Sequence, residues 1–383
     1  MTAGRRGRRG PVARFALLLV VAYAAWACTL FFAQRSMLFP RWIANQRPVA
    51  PPASIELLRL ARPDGVDSIA WLRRGVGDGP RPTIVLLHGN AMLANHWFDW
   101  AEELSAGGTH VLIPEFRGYG DAPGSPSRAA IVGDVAAWLA ALRSRPEVDP
   151  DRIVVHGRSI GAAIGVEAVR ADLEAGGPPP SALVLHTPPA PIRSYALRYL
   201  LPPFLVRDPF DPIEATAAVA ARPDAPAIFV VGHERDDIAT PANVRSVAAA
   251  AGVEATMLSG DHNRLDSAAE ERRLADIIEA ALAAEPRRGA DRRRSSTSPR
   301  SRPVPTSSAT QRDARRRRTS SRASDRRGVG ARVRRPWVSL PPRCRRSARR
   351  RARPLRATRA PARSRCRRST SRTPGPAHRR ARS

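Results

Sequence analysis

Eight short apolar runs recur between residues 55 and 258, and helix-like or turn-rich stretches separate them. The runs are Ile55–Ala61, Ser68–Leu72, Thr83–Leu87, His110–Pro114, Arg152–Val155, Ala182–His186, Ala227–Val231 and Ala255–Leu258. Several are continuous rather than alternating, the mark of strands buried on both faces. The stretches Ile131–Leu142, Gly161–Leu173, Pro241–Ala251 and Ala268–Ala284 have helical length and composition. Strands alternating with helices predict an α/β fold: a mainly parallel eight-stranded sheet with helices on both faces. Pro63-Asp64-Gly65 is a turn signal, so the first two strands are expected to form an antiparallel hairpin.

One junction in this pattern carries chemistry. Gly157-Arg158-Ser159-Ile160-Gly161 follows the strand Arg152–Val155 and opens an Ala-rich helix. A sharp strand-to-helix turn there would leave the Ser159 hydroxyl standing at the carboxyl end of the sheet. Gly157 and Gly161 would let the crossing backbones approach, and the Ile160 N–H at the helix start could face a developing oxyanion. The bland alternative is that Ser159 only caps a helix. A second loop, His88-Gly89-Asn90-Ala91 after the strand Thr83–Leu87, is placed to supply another oxyanion donor from Asn90 or Ala91.

An activated serine needs a base, and the base needs an orienting acid. Of eight histidines, His262 stands in Ser259-Gly260-Asp261-His262-Asn263, just after the last strand. His88, His156 and His186 lie in or beside strands and read as packed or supporting residues. The acid is expected after the preceding strand, where Asp236 and Asp237 are adjacent, and spacing alone does not choose between them. The chain order of these candidates is serine, acid, histidine. The three cysteines, Cys28, Cys344 and Cys366, leave none in the strand-rich region, which excludes a disulfide framework or a Cys-based zinc site there. Neither a metal nor an organic cofactor is expected.

The termini differ from this middle. All 64 basic residues are Arg, and 35 of them lie from Arg287 onward with only 3 of the 34 acidic residues. The remaining 29 basic and 31 acidic residues leave the first 286 near neutral, so the net charge of +30 belongs to the tail. Residues 286–383 are rich in Arg, Ser and Pro without apolar periodicity, which predicts disorder. At the other end, Arg5, Arg6, Arg8 and Arg9 precede an uncharged run of 19 residues, Phe15 to Ala33. Such a run can cross a hydrocarbon core of about 30 Å. A cleaved or lipidated signal competes with an anchor, because Ala25-Trp26-Ala27 precedes Cys28. The organisation expected is a basic cytoplasmic N-terminus (1–14), a transmembrane signal anchor (15–33), a linker (34–53), a catalytic domain (54–285) and the tail. Arg before the run should stay cytoplasmic, which places the domain outside. A basic tail there has no nucleic acid to meet, so nucleic acid is not an expected partner.

Taken jointly, these motifs resemble the α/β-hydrolase superfamily, in particular its membrane-anchored serine aminopeptidase-like and depalmitoylase-like branch. Gln34-Arg35-Ser36-Met37-Leu38-Phe39-Pro40 resembles that branch's segment after the membrane. His88-Gly89-Asn90-Ala91 resembles its oxyanion loop, and Arg117-Gly118-Tyr119-Gly120 with Gly124-Ser125-Pro126-Ser127 its stretch after the fourth strand. The family usually places the acid in a D-x-x-[TV]-P arrangement; Asp237 with Thr240 and Pro241 satisfies it, so the resemblance implies Asp237 and leaves Asp236 as the alternative. Glu115 and Asp121 depart from the family's habits. The resemblance implies a serine hydrolase with Ser159, His262 and Asp237 cleaving an acyl ester or thioester. Amide or peptide cleavage is its second reading, and a non-catalytic membrane-tethered scaffold is the alternative class. The apolar stretches Tyr195–Leu201 and Pro202–Leu205 are expected to form a short lid suited to a small-molecule or lipid-like acyl substrate.

Overall fold

The computed structural model describes residues 10–45 and 50–285. The basic N-terminal cluster, part of the linker and the Arg-rich tail lie outside the described residues. The chain starts with the helix α1 (Pro11–Leu38), 28 residues long, then a single turn α2 (Arg41–Ala44). The domain follows as β1 (Ile55–Leu60), β2 (Ser68–Arg73), β3 (Arg81–Leu87), α3 (Phe98–Ala106), β4 (His110–Glu115), α4 (Arg128–Arg143) and β5 (Val148–Arg158). It continues through α5 (Ile160–Glu174), β6 (Ala182–His186), α6 (Ile192–Ala196), α7 (Pro212–Ala220), β7 (Ala227–His233) and α8 (Pro241–Ala251). It closes with β8 (Ala255–Leu258), a two-residue hairpin of β9 (Gly260–Asp261) and β10 (Arg264–Leu265), and α9 (Ala268–Ala283).

The sheet has eight strands in the order β1-β2-β4-β3-β5-β6-β7-β8. β1 pairs antiparallel with β2, and β2 antiparallel with β4; the other pairings are parallel. This is the α/β-hydrolase fold, with the expected hairpin at one edge.

The continuous apolar run of β3 shows why the strands look as they do. Val85 and Leu87 join the core beneath α4, α5, α7 and α8, while Ile84 and Leu86 join the core beneath α3 and α9. Side chains alternate between faces, so a strand covered on both sides must be apolar at every position. Side-chain caps start the helices that the sequence marks: Ser127 Oγ accepts from Ala130 N, and Thr240 Oγ1 accepts from Asn243 N ahead of Pro241.

The helix α1 outruns the predicted 19-residue span at both ends. Its second half is not free. The segment between β6 and α7, containing α6 and short 3₁₀ turns at Leu197–Tyr199 and Pro203–Leu205, packs on it. Leu30 is buried with Ala196 and Leu201. Arg35 forms an ion pair with Asp208 (Nε–Oδ2 2.8 Å), and Gln34 donates to the Leu205 carbonyl at 3.1 Å.

Candidate active site

β5 runs straight into the turn, and the turn is made by backbone contact. A Cβ on Gly157 would collide with the carbonyl of Gly161, and one on Gly161 with the carbonyls of Leu87 and His88. Both glycines are therefore required for α5 to start where it does. Ser159, between them, takes φ 56°, a left-handed conformation that is costly for a residue with a side chain. It is held there by its own N–H, which donates to the His186 carbonyl at 2.8 Å.

The strained turn aims Ser159 Oγ at His262 Nε2, 3.0 Å away, and His262 Nδ1 donates to Asp236 Oδ2 at 2.7 Å. All three residues are buried. The structure brings together Ser159 and His262 as the sequence implied, but it couples Asp236, not Asp237, to the imidazole. Adjacent residues in this turn face opposite ways: Asp236 is 3% exposed, whereas Asp237 faces solvent. Asp236 Oδ1 also accepts from the amides of Ile238 (2.9 Å) and Ala239 (2.8 Å). Burial pushes its carboxyl pKa up. The His262 hydrogen bond and charge, with the two amides, outweigh that and hold it below the ordinary carboxylate value. The Thr240-Pro241 pair that suggested Asp237 caps α8 instead and carries no information on which aspartate turns inward.

The loop carrying His262 is tied down from behind. Arg158, the residue before Ser159, is buried and donates through one NH2 to the His262 carbonyl at 2.6 Å and to Asn263 Oδ1 at 3.4 Å. Burial lowers its pKa, with the Asp236 and Asp261 charges opposing that. On the other side, His233 Nδ1 lies 2.5 Å from the Asp261 carbonyl, which can only accept. His233 Nε2 is then the acceptor for His186 Nε2 at 2.9 Å. Burial lowers the pKa of both rings and so favours their neutral forms along the chain from His186 through His233 to the Asp261 carbonyl. The sequence marked His186 as a packed or supporting residue but pointed to neither Arg158 nor His233 as a tether. The available signal for Arg158 was an arginine at a turn flanked by apolar strand and helix, with no room to be exposed.

The loop after β3 lies beside the serine. A Cβ on Gly89 would stand 3.2 Å from Met92 Sδ and 3.6 Å from Arg158. Asn90 Oδ1 accepts from the Ala91 N–H at 3.0 Å and from Tyr119 Oη at 3.3 Å, and Ala91 takes φ 56°. The Ala91 amide is thus engaged within its own loop. The Ile160 amide, in the first turn of α5, has no acceptor inside the helix by position. Below the loop, Glu115 accepts from the Ala94 N–H at 3.0 Å and stands at ion-pair distance, 3.0 Å, from His88 Nε2. The glutamate that departs from the family pattern therefore braces the loop after β3 from beneath. Arg117 forms a buried ion pair with Asp134 (2.6 Å) and a second with Asp64, tying the β1–β2 turn to α4.

A sequence model of the alpha/beta hydrolase family matches residues 84–277, just over half the chain. The chain belongs to that family. An uncharacterised Mycobacterium tuberculosis protein, Rv2307c, is 33% identical over 192 residues, 49% of this chain and 64% of that protein, so the chain spans less than two thirds of this relative. The lysophosphatidylserine lipase ABHD12 of Danio rerio is 33% identical over 117 residues, 30% of each chain. Among solved structures, the Pyrococcus furiosus esterase Pf2001 superposes with a TM-score of 0.49 at 18% identity, over 63% of this chain and 99% of that one.

Proposed function

We propose that this α/β-hydrolase is a membrane-held serine hydrolase that cleaves an acyl ester or thioester with Ser159, His262 and Asp236. The observation that carries the reading is the continuous pair of hydrogen bonds, 3.0 Å and 2.7 Å, linking hydroxyl, imidazole and buried carboxylate. Ser159 Oγ attacks the acyl carbon as His262 Nε2 takes its proton, and Asp236 orients the ring and stabilises its cation. The Ile160 amide and the amide of Asn90, whose neighbour Ala91 is engaged elsewhere, receive the oxyanion. Each such donor is worth about 3 kcal/mol in the transition state. His262 then returns the proton to the leaving group, and water attacks the acyl-enzyme with His262 again as base.

The similarity to a lysophosphatidylserine lipase and the apolar lid favour a lipid-like acyl substrate over a peptide. The anchor reading is supported by α1 itself, which is long and apolar enough to span a membrane. It is further supported by the bonds that Tyr23 and Trp26, upstream of the Ala27–Cys28 junction, make to the lid, which cleavage there would remove. The Arg cluster ahead of it implies a cytoplasmic N-terminus and an outward-facing domain. The Gln34–Pro40 segment fits the membrane-anchored branch of the family.

The test is fluorophosphonate labelling of the full chain in detergent beside Ser159→Ala. Covalent labelling of the parent alone is expected. An unlabelled parent that is folded by circular dichroism would overturn the catalytic reading.

A further inference from the structure

The lid is bonded to the part of α1 that a membrane would contain. Tyr23 Oη donates to the Leu200 carbonyl at 3.2 Å, and Trp26 Nε1 to the Tyr199 carbonyl at 3.0 Å. Both aromatic residues lie in the middle of the uncharged run. At about 1.5 Å per residue, Trp26 is about 14 Å and Tyr23 about 18 Å along the axis from Arg35, the first charge after the run. The lid tip lies beside these aromatic residues, not above the membrane end of the helix.

Its surface and its backbone suit that place. Phe204 is 81% exposed, Leu200 69% and Leu197 65%, a cluster of large apolar side chains that no part of the described residues covers. Scattered exposed apolar residues need no explanation, but a contiguous set on one segment beside an apolar helix does. The backbone here is irregular, with Leu200 at φ 55°. Irregular backbone survives in hydrocarbon only where its polar groups have protein partners. The Tyr199 and Leu200 carbonyls have theirs in Trp26 and Tyr23. Pro202 and Pro203 contribute no N–H, and the Leu200, Leu201 and Leu205 amides are paired within the segment.

We propose that residues 192–206 enter the leaflet on the catalytic side together with α1, so that an acyl chain reaches Ser159 from the bilayer rather than from water. This rests on the anchor reading above. Depth is limited by Arg193 and Arg198, both exposed, whose long stems must carry their charges to headgroup phosphates. The segment therefore lies at the headgroup–acyl boundary, about 5–10 Å deep. The length of α1 allows this: 28 residues span about 42 Å, about 12 Å more than the hydrocarbon core, so its lid-bearing end can stand in the headgroup layer. The inserted segment also touches the catalytic machinery, because Tyr195 Oη donates to the Ile238 carbonyl (3.3 Å), two residues from Asp236.

The test reads depth without activity. Cys28, Cys344 and Cys366 are replaced by Ser in the full chain, and Phe204→Cys or Val76→Cys is labelled with an environment-sensitive fluorophore in phospholipid nanodiscs. Val76 is exposed and precedes β3, at the opposite end of the sheet from Ser159. Expected is a blue-shifted probe at 204, quenched by lipids carrying a spin label on the acyl chain, and an unquenched aqueous probe at 76. An aqueous, unquenched probe at 204 overturns the insertion. A second arm uses Leu200→Asp with Phe204→Asp. Hydrolysis of a long-chain acyl ester presented in the bilayer is expected to fall at least about tenfold more than turnover of a soluble short-chain ester. Equal loss on both substrates, or no loss on the bilayer substrate, overturns bilayer entry. A parent that inserts at 204 but turns over neither ester would instead sink the hydrolase reading and leave the insertion standing.

Discussion

Ser159 and Asp236 are held in place by different means. Around the serine, backbone meets backbone: Gly157 against Gly161, Gly161 against β3, and the Ser159 amide on β6. Around the aspartate, a loop is folded by side-chain hydrogen bonds to the Ile238 and Ala239 amides and to a histidine on another loop. Steric constraint of the first kind leaves one residue type possible at each position, and so writes itself into the sequence. Hydrogen-bonded placement of the second kind admits either of two neighbouring carboxylates until the turn decides which one is buried.

The largest effects test whether the proposed triad acts as one unit. Ser159→Ala should cut ester turnover by about 10⁶-fold, measured as kcat on a short-chain nitrophenyl ester. Residual turnover within about a hundredfold of the parent would mean that another nucleophile operates. Asp236→Asn should cost about 10⁴-fold in kcat with little change in KM, because the imidazole loses its orienting acceptor. Asp237→Asn should stay within about twofold. If the two variants exchanged behaviour, the buried position of Asp236 would have to be a resting arrangement from which the loop shifts. Asp236 also carries a stability signature. Its folded pKa is depressed, so its contribution is present above the unfolded value near 4 and is lost as pH falls through the folded value. The melting-temperature gap between the parent and Asp236→Asn should therefore narrow below about pH 4. A gap that widened with acid would contradict the hydrogen-bonded carboxylate.

On the steric side of the comparison, Gly161→Ala should destabilise by about 1–3 kcal/mol or prevent folding, since its methyl group would meet main-chain carbonyls that cannot move aside. A methyl added at Gly176, which meets no neighbouring atom, should cost about 1 kcal/mol, from its positive φ alone. Equal effects in urea titrations would mean that the turn tolerates more room than the packing suggests.

The same contrast explains what was legible in the sequence. The inner strands such as β3 were readable because burial on both faces forces nearly every position to be apolar, and Pro241–Ala251 was readable from its helical length and composition. Ser159 and His262 followed from turn chemistry and chain order. Asp236 against Asp237 was not readable, because the deciding quantity is the direction of one turn, and the one pattern that separated them, Thr240-Pro241, favoured the solvent-facing Asp237. The extension of α1 to Leu38 was missed for a related reason. Gln34 and Arg35 end the apolar run, yet the lid partners Leu205 and Asp208, distant in sequence, keep them helical. Glu115 looked like a deviation, but its length lets one carboxylate reach both the Ala94 amide and His88.

Arg158 joins the two regions, since it grows from the steric turn and grips the hydrogen-bonded loop. Its guanidinium holds the His262 carbonyl at 2.6 Å, so the serine's own strand fixes the height of the imidazole above it. Arg158→Leu would fill most of the space and remove the grip. Hydrogen bonds from a charged group contribute about 1.5–3 kcal/mol, but here the guanidinium's own burial cost offsets part of that, so net stability should change little. The loss should appear in kcat, about tenfold, because His262 would sample positions out of reach of Ser159 Oγ. Arg158→Lys should recover only part of it, since the lysine stem ends one atom short of the single guanidinium nitrogen that reaches both the His262 carbonyl and Asn263. The informative measurement is kcat and KM beside a thermal melt. A fall in kcat at constant melting temperature fits a residue that positions the base, whereas a fall in both together would make Arg158 a packing residue and leave the two regions coupled only through Ser159 and His262.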